Sequence, residues 1–320
     1  MKTVWEKLTS PFFVQAPMED VTDTVFRQVL SSVGGPDLYF TEFTNADGII
    51  KGGERYIQQR LKYTNIERPL VAQIWGNNPD HYFKAAKILK DLNYDGIDIN
   101  MGCPDRKIVK NGCCAGLINN PKLAQELYLA AKEGVEDALP ISIKTRIGYN
   151  KIVTEDWIGF LLTLKPAAIT VHARTASEMS KVPSHFEELG KAVELRNKIN
   201  KKTTIVANGD IVDKAMGGQI VKTYGVDGVM IGRGMLHNPW VFSGKAIEDI
   251  SISDRLNLLK NHITLFEATW EKTKNFEIMK KFYKAYLAGF EGAHEMRLRL
   301  MEFHNSEDTI SEIDTMLKIK

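Results

Sequence analysis

Short apolar and β-branched runs recur along the chain, each followed by a stretch with helical spacing. The runs are Val14–Glu19, Leu38–Phe43, Leu70–Trp75, Gly96–Gly102, Ile141–Ile147, Ala167–Ala173, Thr203–Gly209 and Gly228–Gly234. Their starts lie between 24 and 45 residues apart, which leaves room for a strand, a loop, a helix and a second loop. The segment 79–92 repeats apolar residues at helical spacing, with Asn78 as cap and Pro79 at the first helical position. The segment 121–135 does the same after Asn120. Eight such units predict a (β/α)8 TIM barrel. A doubly wound sheet is the alternative, but Gly232-Arg233-Gly234 lacks the last glycine of a dinucleotide fingerprint. Beyond the barrel the pattern changes. Leu256, Leu259, Ile263 and Phe266 keep helical spacing, and no β-rich run follows. The expected division is a barrel over 1–244 and a small all-helical C-terminal domain over 245–320.

Composition narrows this picture only slightly. The 320 residues are 43% hydrophobic and 26% charged, with a formal charge of +2, as in an ordinary globular enzyme. A generally basic surface is excluded, although a local patch could still meet nucleic acid. Cys103, Cys113 and Cys114 are an odd number crowded together, a poor disulfide framework that fits a reducing compartment. The first residues carry Lys2, Glu6 and Lys7 and lack the apolar stretch of a signal peptide. No apolar run reaches the ~18 residues of a membrane span. A cytoplasmic monomer is expected, with no membrane association and no metal.

The candidate chemistry lies at the strand ends, where barrels of this type place their sites. Pro17, Met18 and Glu19 end the first run, and Gln73 lies in the third. Asn100 to Pro104 ends the fourth, Lys144 and Arg146 lie in the fifth, and His172 to Arg174 ends the sixth. Asn208-Gly209-Asp210 and Gly232-Arg233-Gly234 end the last two. A single lysine at a strand end is ordinarily a surface residue. Seven such ends on one rim point to a site. The last two ends supply glycines for close backbone approach and an arginine for charge, which suits a phosphate. Lys144, His172 and Gln73 add groups that can contact a flat ring rich in carbonyls and nitrogens. Flavin mononucleotide fits this set better than a sugar phosphate, and a lysine beside its ring would stabilise the reduced anion.

Several segments resemble the tRNA-dihydrouridine synthases. They are Ala16-Pro17-Met18-Glu19, Asn100-Met101-Gly102-Cys103-Pro104 with Lys107 and Gly112, Lys144-Thr145-Arg146, and His172-Ala173-Arg174-Thr175. Ala207-Asn208-Gly209-Asp210 and Asp227 through Gly234 complete the set, in order and at compatible spacing from about residue 11 to 300. The resemblance implies an FMN-dependent barrel enzyme that reduces the C5–C6 bond of uridine in tRNA, with NADPH as reductant. Hydride goes to C6 and a cysteine, here Cys103, protonates C5. Pro17, Met18, Glu19, Gln73, Lys144, His172, Asn208, Gly209, Asp210, Gly232 and Arg233 would bind the flavin. A thiol of ordinary pKa, ~8.5, is mostly protonated at neutral pH and can act as the acid. The sequence departs from the family where Cys113 and Cys114 replace small residues, Cys114 standing for a glycine. It departs again at Glu178 and Ser180, where many members carry Gln and Tyr. That loop bears on where the RNA lies, not on the chemistry.

For RNA contacts the tail offers Lys280, Lys281 and Lys284 beside Tyr283 and Tyr286, followed by Arg297 and Arg299. Lys280 and Lys284 would share a helix face, with the tyrosines available for stacking. Lys107, Lys110 and Arg174 near the barrel mouth are further candidates. Two other readings remain at this point. One is an FMN barrel acting on a free pyrimidine such as dihydroorotate. The other is a non-catalytic tRNA-binding module, for which an acid and a flavin cradle would have no use.

Overall fold

The computed structural model describes residues 2–271 and 273–318. Its barrel strands are β1 (Phe12–Gln15), β2 (Tyr39–Phe40), β3 (Leu70–Trp75), β4 (Gly96–Met101), β5 (Ile141–Arg146), β6 (Ala168–His172), β7 (Thr204–Asn208) and β8 (Gly228–Ile231). They pair in parallel and in sequence from β2 to β8, and β8 pairs with β1. A bridge between Val14 and Leu38 closes the ring, with the Gln15 N–H donating to the Leu38 carbonyl at 3.0 Å. This is the (β/α)8 barrel expected from the spacing.

The first two strands are shorter than their apolar runs, for identifiable reasons. Past Gln15 the chain reaches Pro17, which has no N–H to offer a ladder. Around Phe40 side chains join the pairing, beside a backbone bond from the Thr41 N–H to the Val71 carbonyl at 3.0 Å. The Phe40 N–H donates to Gln15 Oε1 and the Gln73 N–H to Thr41 Oγ1, both at 3.0 Å. A two-residue strand, Thr44–Asn45, then adds alongside Ile74 and Trp75. The helices Pro79–Asp91 and Pro121–Val135 start where the caps predict. Asn78 accepts from the Asp80 and His81 amides and Asn120 from that of Leu123.

Alternate strand residues point into the barrel, and their character changes along its axis. Low in the barrel Phe12, Val14, Leu38, Phe40, Val71, Ala168, Val206 and Met230 form one apolar cluster. Trp5, on the short helix Val4–Lys7, packs into its floor against Phe12 and Phe40, with centroids 6.4 and 6.2 Å apart. Gly228 is required there, because a Cβ would lie 2.4 Å from the Phe12 ring. Higher up, the inward positions are Gln73, Asp98, Asn100, Ser142, Lys144, His172 and Asn208. The floor is closed by packing and the rim is built of polar groups.

Beyond Gly244 every element among the described residues is helical. The longest, Ile252–Trp270, buries Leu256, Leu259, Ile263 and Phe266. It packs against the helix Thr24–Ser32, which follows β1. Phe26 of that helix lies 5.1 Å from the Phe282 ring and 5.7 Å from His262. Asp23 ties the two parts together. One carboxylate oxygen caps its own helix through the Phe26 N–H at 3.1 Å. The other accepts from Trp270 Nε1 at 2.8 Å and Lys274 Nζ at 3.0 Å. No helix among the described residues is long and apolar enough to cross a membrane.

Burial by itself would raise the Asp23 pKa, but Lys274, the Phe26 amide and Arg27 outweigh it and hold the carboxyl below its ordinary value. A carboxyl lowered on folding stabilises the protein above its unfolded pKa, about 3.9, and ceases to do so as pH falls through its folded value. Asp23→Asn should therefore lower stability at neutral pH by about 2–3 kcal/mol, the worth of hydrogen bonds to a charged group. Urea unfolding of both proteins over a pH series checks this. The gap between them should close in acid; a gap that persists unchanged would assign the loss to packing alone.

Candidate functional site

The site begins with a chain of buried polar groups across β3, β4 and β5. Asp98 is fully buried. Its Oδ1 accepts from Ser142 Oγ at 2.6 Å and its Oδ2 from Gln73 Nε2 at 2.8 Å. Gln73 Oε1 accepts from Asn100 Nδ2 at 3.1 Å. Asn100 Oδ1 in turn accepts from the amides of Gly102 and Cys103, both at 3.0 Å. The loop that carries Cys103 is thus hung from the barrel interior. Arg146 braces it from the other side, donating Nε to the Gly102 carbonyl at 2.8 Å. Burial raises the Asp98 pKa to about 6, against the lowering effect of Ser142, Gln73 and Lys144.

Two cavities open at this end of the barrel. The first, about 350 Å³, is lined by Pro17, Met18, Lys144, His172, Asn208, Gly209, Asp210, Gly232 and Arg233, among others. Lys144 Nζ donates to Asn208 Oδ1 at 3.0 Å, and Asn208 Nδ2 donates to the Met230 carbonyl at 2.9 Å. Burial and the neighbouring Arg146 bring the Lys144 pKa down to about 8, so the amine is mostly charged at neutral pH. His172 is held well below its ordinary value, first by burial and then by Arg146, Lys144, Arg174 and Arg233. A neutral histidine among four cations marks a field that favours an anion. Asp210 repels a phosphate but organises the guanidinium groups around it. It pairs with Arg233 at 2.6 Å and with Arg174. Arg233 is 57% exposed and keeps further N–H donors for an anion. Gly209, at a φ of +118°, brings the backbone close, since a Cβ there would meet Ser184 Oγ at 2.6 Å. Ala16, Pro17, Met18 and Ile211 supply apolar wall for a flat ring.

The second cavity, about 490 Å³, contains Cys103. Phe43, Tyr56, Trp75 and Ile108 form its apolar walls, and Glu19, Asn45, Arg60 and Asp105 its polar members. Cys103 is partly exposed, and all three cysteines are free thiols. Glu19, Asp20 and Glu42 bring carboxylate oxygens within 4.8 Å of one another. Arg60 already supplies positive charge there, 2.6 Å from Glu19 and 3.8 Å from Glu42.

Several expected residues lie elsewhere than the sequence suggested. Glu19, expected beside a flavin, lines the Cys103 cavity and pairs with Arg60. Gln73 is wholly buried with both ends of its amide engaged, so it supports Asn100 and does not line the first cavity. Arg174, expected to face RNA, is 2% exposed and turns inward to Asp210 and the Val182 carbonyl. Lys280 and Lys284 do not share one α-helix, because a 3₁₀ segment, Phe276–Phe282, precedes the short helix Tyr283–Tyr286. Lys280 is 10% exposed, pairing with Glu277 at 3.0 Å and donating to the Met301 carbonyl at 2.8 Å. Arg297 donates to the Leu287 carbonyl. Tyr283 and Tyr286 are buried, and the Tyr286 hydroxyl bonds His262 at 2.7 Å, so neither offers a ring for stacking. Lys107, Lys281 and Lys284 are exposed. Lys281 donates to the carbonyl of Asp20, next to Glu19 of the second cavity. Asn100 was singled out at the end of its strand but given no role; Asp98, Arg60 and Trp75 were not singled out as site residues. For Asp98 a signal existed, polar residues alternating within the apolar run Gly96–Gly102. For Arg60 and Trp75 there was none.

The comparisons with known proteins agree with this architecture. The family model described as "Dihydrouridine synthase (Dus)" matches residues 14–319. The chain is 41% identical over 313 residues to the Bacillus subtilis (strain 168) protein named "Probable tRNA-dihydrouridine synthase 2", covering 97% of this chain and 95% of that one. It is 40% identical over 314 residues to the Staphylococcus aureus (strain COL) protein named "Probable tRNA-dihydrouridine synthase", covering 97% and 94%. Among solved structures it resembles morphinone reductase, with a TM-score of 0.53 at 10% identity over 76% of this chain and 87% of that one. It also resembles histamine dehydrogenase from Rhizobium sp. 4-9, with a TM-score of 0.56 at 14% identity over 80% of this chain and 49% of that one. At such low identity these two show a shared fold alone. With a family match over nearly its whole length, the chain belongs to the dihydrouridine synthase family.

Proposed function

We propose that this protein is an FMN-dependent tRNA-dihydrouridine synthase that uses NADPH as reductant. The observation that carries the reading is the meeting of two cavities at one barrel mouth. One is cationic and fits a flavin phosphate and ring; the other holds a hung, partly exposed thiol. The loop 16–19 borders both, with Pro17 and Met18 on the first and Glu19 on the second.

In this reading Arg233, with Gly209 and Gly232, holds the flavin phosphate, and Lys144, Asn208 and His172 meet its polar ring edge. Neutral His172 accepts or donates one hydrogen bond without adding charge. When bound and reduced by NADPH, the flavin supplies the hydride that goes to C6 of the uracil ring. Cys103 holds the proton destined for C5. As the C5–C6 π bond is lost, the C5–H bond forms, the S–H bond breaks and sulfur keeps its electron pair. Water later returns a proton to the thiolate. The aromatic walls of the Cys103 cavity accept a base that has left its stack, as chemistry on a base in folded RNA requires. The barrel, 1–244, then carries the chemistry, and the helical part, 245–320, helps hold the RNA. Lys281 and Lys284 are exposed cations of that helical part, and Lys107 is an exposed cation of the barrel. The bond from Lys281 to Asp20 supports that role, because it sets the tail beside the thiol cavity.

Two measurements test the reading. Cys103→Ala should keep its bound flavin, seen by absorbance, and lose dihydrouridine formation on unmodified tRNA by ~100-fold or more, the range of general-acid catalysis. Full activity in that variant would remove Cys103 from the chemistry. Arg233→Ala should weaken binding of FMN by about tenfold or more, as loss of a charge-assisted phosphate contact does, while binding of riboflavin changes little. Fluorescence titration of the flavin-free protein reads both. Equal losses for the two flavins would move the phosphate away from Arg233.

A further inference from the structure

Arg146 lines neither cavity, and the reaction above leaves it without a role. It ends β5, two residues past Lys144 on the same inward face, and it is buried. Among the described residues its side-chain hydrogen bonds all go to backbone carbonyls, and these belong to two different loops. Nε donates to Gly102 at 2.8 Å, and Nη1 donates to Thr175 and to Met179, each at 3.0 Å. Burial brings its pKa down to about 10, helped by Arg174 and opposed by Cys103 and Glu178, so the guanidinium stays charged at neutral pH. A buried cation must have its donors engaged, and here three carbonyls engage them.

Each loop is fixed around this group. The Gly102 N–H is held by Asn100 Oδ1 and its carbonyl by Arg146, so the residue before Cys103 is anchored at both backbone polar groups. Gly102 also lies flat against β5, where a Cβ would meet the Thr145 backbone at 3.3 Å. In the other loop the Thr175 N–H donates to Glu178 Oε2 at 2.8 Å, and the Glu178 N–H to Thr175 Oγ1 at 3.3 Å, which closes a capped turn. The turn ends at Met179, an exposed side chain on a backbone with φ of +53°. Such strain persists in a non-glycine residue only where the surroundings enforce it. The Arg146 bond to the Met179 carbonyl and the Met179 N–H bond to the Ala176 carbonyl at 3.2 Å enforce it here.

We propose that Arg146 is a positioning residue that locks the thiol loop to the loop Thr175–Met179, so that Cys103 and the surface the RNA crosses keep one fixed spacing. The inference rests on the proposed reaction, with Cys103 as the acid and the RNA lying over that second loop. The planar fork of an arginine reaches carbonyls in two directions at once, which the single ammonium of a lysine does not. Proton delivery to C5 is sensitive to such a lock, because a displacement of about 1 Å at a reacting group can cost ~100-fold in rate. Reduction of the flavin by NADPH needs no thiol and is not sensitive to it.

Arg146→Lys tests this, since it keeps the charge and loses the fork. In the flavin-loaded protein, hydrogen exchange read by peptide mass spectrometry should quicken in both loops, at 102–103 and at 175–179, by roughly tenfold or more. Single-turnover dihydrouridine formation on unmodified tRNA should fall by ~10- to 100-fold, while flavin reduction by NADPH without RNA is little changed. In a Cys103→Ala background the same substitution should cost no further activity, because its effect passes through the thiol. Glu178→Ala opens the second turn without touching Arg146 or Cys103, and exchange should quicken at 102–103 as well as at 175–179. Quickening confined to one loop in either variant, or an equal loss of flavin reduction and uridine reduction in Arg146→Lys, overturns the proposal. The exchange measurement does not depend on turnover. An active Cys103→Ala enzyme would overturn the reaction scheme, while exchange still decides whether the two loops are locked together.

Discussion

Asp98 is the group on which the rest of the site depends. A carboxyl sealed inside a barrel must have all its oxygens engaged, because an unpaired polar group there costs several kcal/mol. Ser142 and Gln73 satisfy it. Satisfying Gln73 requires Asn100, and Asn100 holds the amide of Cys103. Proper solvation of one buried carboxylate thus sets the position of a thiol at the rim. The same negative charge favours the ammonium form of Lys144 in a place where burial disfavours it. One residue in the middle of β4 therefore supports both the anion cavity and the thiol cavity.

This arrangement is possible because the barrel interior is graded. Its lower half is closed by Phe12, Phe40, Val71, Met230 and the Trp5 plug, so rigidity there does not rely on polar groups. The upper half can then carry Lys144, His172 and Asn208, whose desolvation would be unaffordable without a stable scaffold beneath. Arg174 shows how charge is shared in that layer. It is buried, yet it pairs with Asp210, which also orients Arg233.

The helical tail belongs to the same construction. Asp23 receives Trp270 and Lys274, and Phe26 packs against Phe282, so the tail is docked on the helix that follows β1. Lys281 reaches the carbonyl of Asp20 in the loop between β1 and that helix. The tail therefore stands beside the thiol cavity.

The barrel, the helix caps and most of the cationic cavity were legible in the chain itself. Strand alternation, Asn-Pro caps and turn glycines are local, and each acts through backbone geometry that neighbouring residues determine. Lys144, His172, Asn208 and Arg233 could be placed on one rim because a parallel barrel puts every strand end on the same side. Distances between strands were not legible in this way. That Glu19 turns to Arg60, that Arg174 turns inward and that Gln73 supports Asn100 each depend on partners 25 or more residues away. The tail illustrates the same limit. Lys280 and Lys284 looked like one helix face, but packing of Phe276, Met279 and Phe282 draws that segment into a 3₁₀ turn and buries both tyrosines. Local pattern decides the fold, and the fold brings these residues to the barrel mouth. Which of them face a ligand and which hold one another is settled by packing, because buried charges choose partners by three-dimensional proximity and desolvation.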